Sequence, residues 1–204
     1  AIEEKPGVLW PYAFRFPSLL SELDDGLKLG IVSRLLSRWS ILKLMDQQRE
    51  SPVDWVAGAS LMVKRQVFEQ IGLMDENYFL YYEETDYCLQ AKRAGWECWY
   101  VPKSRVFHVV GASTGVVDRP PEPRRIPRYW FESRRRFFIK NRSRLYAMAT
   151  DLVWMLSYAL WRVRRVLQRK DGFEPPQLFS DFVRNSSLMT SEISVNPAAA
   201  KSRS

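Results

Sequence analysis

The tightest constraint on the fold is an alternation of extended and helical patterns packed into residues 53–114. Residues 53–63 form a mostly apolar run and predict a strand. Gly58, Ala59 and Ser60 interrupt that run, marking either tight strand packing or the close approach of a ligand. Residues 64–71 predict a short helix with Val67 and Ile71 one turn apart, and Gly72 supplies the left-handed position after its end. A turn at Asp75-Glu76-Asn77 and an aromatic run from Tyr78 to Tyr82 follow. Glu83-Glu84-Thr85-Asp86 then opens a second helix, in the first turn where acids face the positive end of the macrodipole, and Gly95 closes it. Residues 96–101 predict a strand stopped by Pro102, and residues 106–110 an extended piece carrying His108. Strands and helices mixed in this way imply an α/β fold.

The flanks are read against this stretch. Pro6, Pro11 and Pro17 argue against regular structure at the start. From Ser18, a plausible N-cap followed by Glu22, the spacing of Leu19, Leu20, Leu23, Leu27, Ile31, Leu35 and Leu36 predicts a pair of amphipathic helices packed on a core. Residues 111–128, rich in Gly, Pro, Arg and Asp, predict a loop or mobile segment. Arg134-Arg135-Arg136 and Phe137-Phe138 lead into a helix whose apolar part runs over 145–163, interrupted by Asp151 and closed by Arg162, Arg164, Arg165 and Arg169. That part is at the lower limit of a membrane span. An interfacial amphipathic helix fits it better, with an ordinary helix packed on the domain as the plain alternative. The divisions expected are a loop and helical segment (1–50), a central part (51–118), a basic aromatic helical region (119–172) and a mostly disordered tail (173–204).

Composition narrows the classes. With 204 residues and 46% hydrophobic composition the chain can bury a real core and is too apolar to be disordered. A formal net charge of +8 suggests an anionic partner. The charge surrounds an apolar helix rather than an open groove with stacking aromatics, so nucleic acid is not the expected partner. Cys88 and Cys98 are the only cysteines. They predict reduced thiols in a reducing compartment rather than a disulfide framework. Acids and Lys5 at the start do not form a secretory leader.

Chemistry concentrates in the acids. Asp75, Glu83, Glu84 and Asp86 lie close in sequence, although Glu83, Glu84 and Asp86 cannot all point one way on a helix. Carboxylates at a helix start beside aromatic residues suit general-base work, while capping and solvated charge are the plain alternative. His108 is the only histidine. It is either a satisfied polar side chain or, with carboxylates, one ligand of a divalent ion. No zinc spacing, phosphate-binding glycine loop, dinucleotide fingerprint or Ser-His-Asp arrangement is present.

Taken together, V-D-W-V-A-G-A-S-L-M-V-K-R, I-G-L-M-D-E-N-Y-F-L-Y-Y-E-E-T-D-Y-C-L-Q-A-K-R-A-G-W and Y-V-P-K-S-R-V-F-H-V-V-G-A-S-T resemble the acceptor-side half of family 2 glycosyltransferases. The likeness is greatest to the rhamnosyltransferase-like branch that builds bacterial surface polysaccharides. Residues 50–115 carry most of it, and R-F-P-S (15–18) and Y-W-F-E-S-R-R-R-F-F-I-K-N are in character. The resemblance implies a partial GT-A fold followed by C-terminal amphipathic helices, and inverting transfer from a nucleotide-sugar donor to a glycan or lipid-linked acceptor.

By that resemblance a carboxylate of the Glu83-Glu84 pair is the base, with Glu84 standing where Asp is common. Asp86 orients the site, and His108 helps hold a divalent metal (Mg or Mn) on the diphosphate. Gly58 and Ala59 line the cleft, and Trp55, Tyr81 and Trp96 offer stacking faces to a sugar, with core packing the equal alternative for Trp96. The family's Asp-x-Asp motif and first nucleotide-binding strands have no counterpart in these residues. Asp24-Asp25-Gly26 is not that motif, so the chain is expected to be inactive without a donor-binding half and its metal binding weak. The Gln-x-x-Arg-Trp motif of processive synthases is also absent, which implies single-sugar addition. The expected location is cytoplasmic, peripheral at the inner face of the plasma membrane, with an anionic membrane surface as partner. The rival reading is a non-catalytic membrane- or partner-binding module of glycosyltransferase descent.

Overall fold

Short strands and longer helices segregate in the computed structural model, which describes residues 1–5, 7–10, 12–46, 48–108, 124–169 and 174–190. The loop expected at 111–128 lies outside the described residues as far as 123, and so does the tail from 191 onward. The chain divides into two units, each assembled from distant segments. The first comprises residues 1–16, 41–76 and 82–117, and the second 17–40, 77–81 and 118–204. The whole is mixed α/β, as fits a partial GT-A fold.

All the described strands lie in the first unit. β1 (Ile2–Lys5) pairs antiparallel with β2 (Val8–Leu9). β3 (Tyr12–Phe14) pairs antiparallel with β4 (Leu42–Leu44), Ala13 facing Lys43. β5 (Ser51–Val53) pairs antiparallel with β6 (Cys98–Tyr100), and β7 (Val106–Phe107) runs parallel to β1. Ala13, Met45 and Tyr100 form a small core with Val53 packed against it.

Two expectations fail here. The proline-rich start is not irregular: β1, β2 and β3 fit between Pro6, Pro11 and Pro17, because a proline denies a ladder donor only at its own position. Residues 53–63 are not one strand either. The ladder with β6 stops at Val53, Trp55 makes one further antiparallel bridge to Phe14, and Gly58–Ser60 form a 3₁₀ turn. Small residues there give a sheet little to pack, and the Gly58 N–H is taken by a side chain rather than a neighbouring strand. The two helices are as expected. α3 spans Arg65–Ile71 and ends at Gly72, whose φ of 80° few side-chain-bearing residues adopt. α4 spans Glu83–Arg93.

The second unit is helical: α1 (Leu19–Leu27), α2 (Gly30–Leu35), α5 (Arg128–Asn141), α6 (Arg144–Leu167) and α7 (Leu178–Asn185). Ser18 caps α1 as the sequence predicts, in a reciprocal capping box with Ser21. The expected pair of helices divides in its packing: α1 lies against α6, whereas α2 leaves Ile31 and Leu35 largely exposed. Trp154 is the centre of the core, stacked on Phe182 at 3.9 Å and on Tyr158 at 4.6 Å. Asp24-Asp25-Gly26 has three structural jobs. Asp24 accepts from Ser33 Oγ at 2.6 Å and Asp25 from Trp154 Nε1 at 2.8 Å. Gly26 lets α1 approach α6, since a Cβ there would fall 1.9 Å from Ser157 Oγ.

The arginine run is not the surface charge that its sequence suggests. Arg134 is buried and bridges Glu22 at 2.6 Å and Asp151 at short range, while Asp151 also accepts from the Ser187 N–H at 2.6 Å. Arg135 is buried too and donates to the Asn185 carbonyl. Asp151, which interrupts the apolar run, is therefore the charge that makes Arg134 tolerable inside. No helix among the described residues is long and apolar enough to cross a membrane.

Candidate active site

α4 begins on unusual backbone. Tyr81 and Tyr82 both take left-handed φ, 68° and 67°, a conformation that strains a residue with a side chain. The chain then turns into the helix, where the Asp86 N–H bonds the Tyr82 carbonyl at 2.8 Å. This entry sets Glu83 and Glu84 in the first turn.

The two glutamates differ in their fixing. Glu84 Oε1 accepts the Gly58 N–H at 3.2 Å, which joins α4 to the 3₁₀ turn. Glu84 Oε2 and Glu83 Oε2 are buried and without a hydrogen-bond partner. Burial, and next the charge of Glu84, push the Glu83 carboxyl up to about 7, against a backbone hydrogen bond that lowers it. Orphaned buried carboxylate oxygens are uncommon in folded proteins, and beside an acid with a raised pKa they make this helix start a candidate site. Asp86 points inward: it is buried, and its Oδ1 accepts from Gln90 Nε2 at 3.4 Å.

The other candidates are scattered. Ala59 is exposed on the 3₁₀ turn beside Gly58. Trp55 has one ring face covered by Phe14, stacked at 4.1 Å, and its Nε1–H donates to the Arg15 carbonyl at 3.0 Å. Trp96 donates from Nε1 to Gln70 Oε1 at 2.7 Å. Tyr81 falls in the second unit, its ring stacked on Tyr129 at 6.1 Å. His108 is exposed just past β7, its amide donating to the Glu3 carbonyl at 3.1 Å. Among the described residues no group of three His, Cys, Asp or Glu side chains could hold a metal ion. His108 supplies one donor, short of a divalent-ion site among the described residues.

Sequence reading missed the Gly58–Glu84 link, since nothing in residue type announces a hydrogen bond across 26 positions. It also missed the thiol pair one turn beyond Glu84. A mutual hydrogen bond holds Cys98 below its ordinary value and, with burial, pushes Cys88 up. Both line a largely apolar cavity of about 820 Å³ with Trp10, Phe14, Trp96 and Tyr100.

No family model matches the chain. No solved structure matches it. Among curated proteins, a Mycobacterium tuberculosis N-acetylglucosaminyl-diphospho-decaprenol L-rhamnosyltransferase is 34% identical over 118 residues, 56% of this chain and 37% of that enzyme. The Escherichia coli rhamnosyltransferase WbbL is 31% identical over 100 residues, 49% of this chain and 36% of its own. The Haloferax volcanii low-salt glycan biosynthesis hexosyltransferase Agl10 is 48% identical over 42 residues, 21% of this chain and 14% of its own. These relatives are rhamnosyl- and hexosyltransferases, and the matches fit part of a family 2 glycosyltransferase domain, as the sequence resemblance implies. The chain is related to glycosyltransferases of polysaccharide synthesis and spans little more than a third of the two rhamnosyltransferases.

Proposed function

We propose that this chain supplies the acceptor side of an inverting glycosyltransferase, with the Glu83-Glu84 pair as its base. The observation that carries this is the pair of buried, unpartnered carboxylate oxygens at the start of α4, with Glu83 near 7. Glu84, anchored through Oε1 by Gly58, keeps Oε2 for a proton.

In the step proposed, the acceptor hydroxyl oxygen attacks the anomeric carbon of the donor, and its proton passes to Glu84 Oε2. The bond from that carbon to the diphosphate oxygen breaks, and its electron pair leaves with the nucleoside diphosphate. Asp86, held from inside, orients the first turn of α4. Gly58 and Ala59 border the reacting groups. A divalent cation on the leaving diphosphate would need donors beyond His108. Donor binding is assigned to elements outside these residues, which have no Asp-x-Asp motif. The relatives' activities suggest rhamnose as the sugar class and a diphosphate-linked polyprenol as one acceptor class.

The test is transfer by the complete enzyme. Glu84→Gln is expected to lower turnover about 10²–10⁴-fold with nucleotide-sugar binding unchanged. Loss in Glu83→Gln with full turnover in Glu84→Gln would move the base to Glu83. Full turnover in both would overturn the reading and favour a non-catalytic module. Tight binding of a nucleotide sugar by this chain alone would refute the assignment of donor binding elsewhere.

A further inference from the structure

α6 is apolar on two opposite sides. Successive residues advance by about 100° around a helix. On that basis Ala147, Trp154 and Tyr158 share one side, and these are buried in the helical core. Leu145, Leu152, Leu156, Leu160, Val163 and Leu167 share the other, each between 49% and 78% exposed. This second face runs for about 33 Å, from one end of the helix to the other, and carries no charged side chain.

Its surroundings are cationic. Arg144 and Arg162 lie along one edge, both exposed, and Arg169 follows the helix end. Arg162 is held only loosely by Glu174, at 3.6 Å. The acid within the helix, Asp151, is buried with Arg134 on the inner side and does not offset the outer charge.

We propose that the outer face of α6 lies in the headgroup boundary of an anionic lipid bilayer. Leucine and valine side chains would enter the acyl region while the arginines meet lipid phosphates. A helix with a broad uninterrupted apolar face and flanking cations has the form that binds bilayers in plane. A protein interface of such length carries about one hydrogen bond per 100–200 Å², and this strip offers no side-chain group to make one. The complementarity is with an anionic surface, since one edge carries Arg144 and Arg162 and the chain has a net charge of +8. This placement is independent of whether Glu84 transfers a proton.

The experiment is flotation of the full chain with phosphatidylglycerol/phosphatidylcholine vesicles and with phosphatidylcholine vesicles. The wild type is expected to float with the anionic vesicles and far less with the neutral ones. L156E/L160E changes two exposed positions, so circular dichroism is expected to be unchanged while vesicle affinity falls more than tenfold. R144Q/R162Q is expected to lose about fivefold per arginine on anionic vesicles and little on neutral ones. Failure of the wild type to float, or equal flotation of L156E/L160E, would overturn the proposal. So would a wild-type dimer that does not float and that L156E/L160E disperses, because the strip would then join copies of this chain.

Discussion

The helical unit and the α/β unit treat their buried carboxylates in opposite ways. In the helical unit Glu22 and Asp151 share Arg134, and Asp151 also holds a backbone N–H. Burial pushes the Glu22 carboxyl up and Arg134 pulls against it. In the α/β unit Glu83 and Glu84 are adjacent, like-charged and each left with an unpartnered buried oxygen. The first arrangement is complete within the fold and ties α1, α5 and α6 together. The second is incomplete, and burial without a counter-charge leaves Glu83 titrating near neutrality. Of the two arrangements, only the one that the fold does not neutralise makes a candidate functional site.

The largest effect expected from breaking this contrast is in the helical unit. Arg134→Ala strands Glu22 and Asp151 without their cation and is expected to destabilise by about 3–5 kcal/mol in urea unfolding. A loss below about 1 kcal/mol would mean that the network is not what holds these helices. Gly26→Ala is next, at about 1–3 kcal/mol, because the added methyl group meets Ser157 Oγ and lies 3.0 Å from the Trp154 carbonyl. Pairing it with Ser157→Ala should recover part of that loss.

The smallest effect has the opposite sign. The folded-state value for Glu83 lies above its unfolded one, so its contribution is full below about 4.5 and is lost as pH rises through about 7. Glu83→Gln is thus expected to gain about 1–2 kcal/mol over the wild type at pH 8, after allowance for solvent screening at a part-exposed group, and almost nothing at pH 4. Melting temperatures at the two pH values check this. A pH-independent difference would show that Glu83 is not the titrating group.

Much of this was legible residue by residue. The Ser18 cap, the Gly72 and Gly95 stops, α3 and α4 all follow from local rules, since each depends on neighbours within one or two turns. The grouping of Glu83 and Glu84 at a helix start was equally visible. The strand expected over 53–63 was not sound, because apolar character does not distinguish a paired strand from a turn when the partner strand is unknown. The burial of Arg134 was not legible for a similar reason: the acids that hold it stand 17 and 112 positions away. Tyr81 was read beside the acids, and its ring stacks on Tyr129 in the helical unit instead.

By itself the sequence determined the local elements, the acid pair and the apolar helical stretch at 145–163, because helix periodicity and capping are encoded within a few residues. Tertiary structure alone decided which charges are neutralised and which of α6's two apolar faces is spent on the core. Those outcomes depend on groups brought together from distant segments, and neutralisation falls off so steeply with separation that no local pattern contains it.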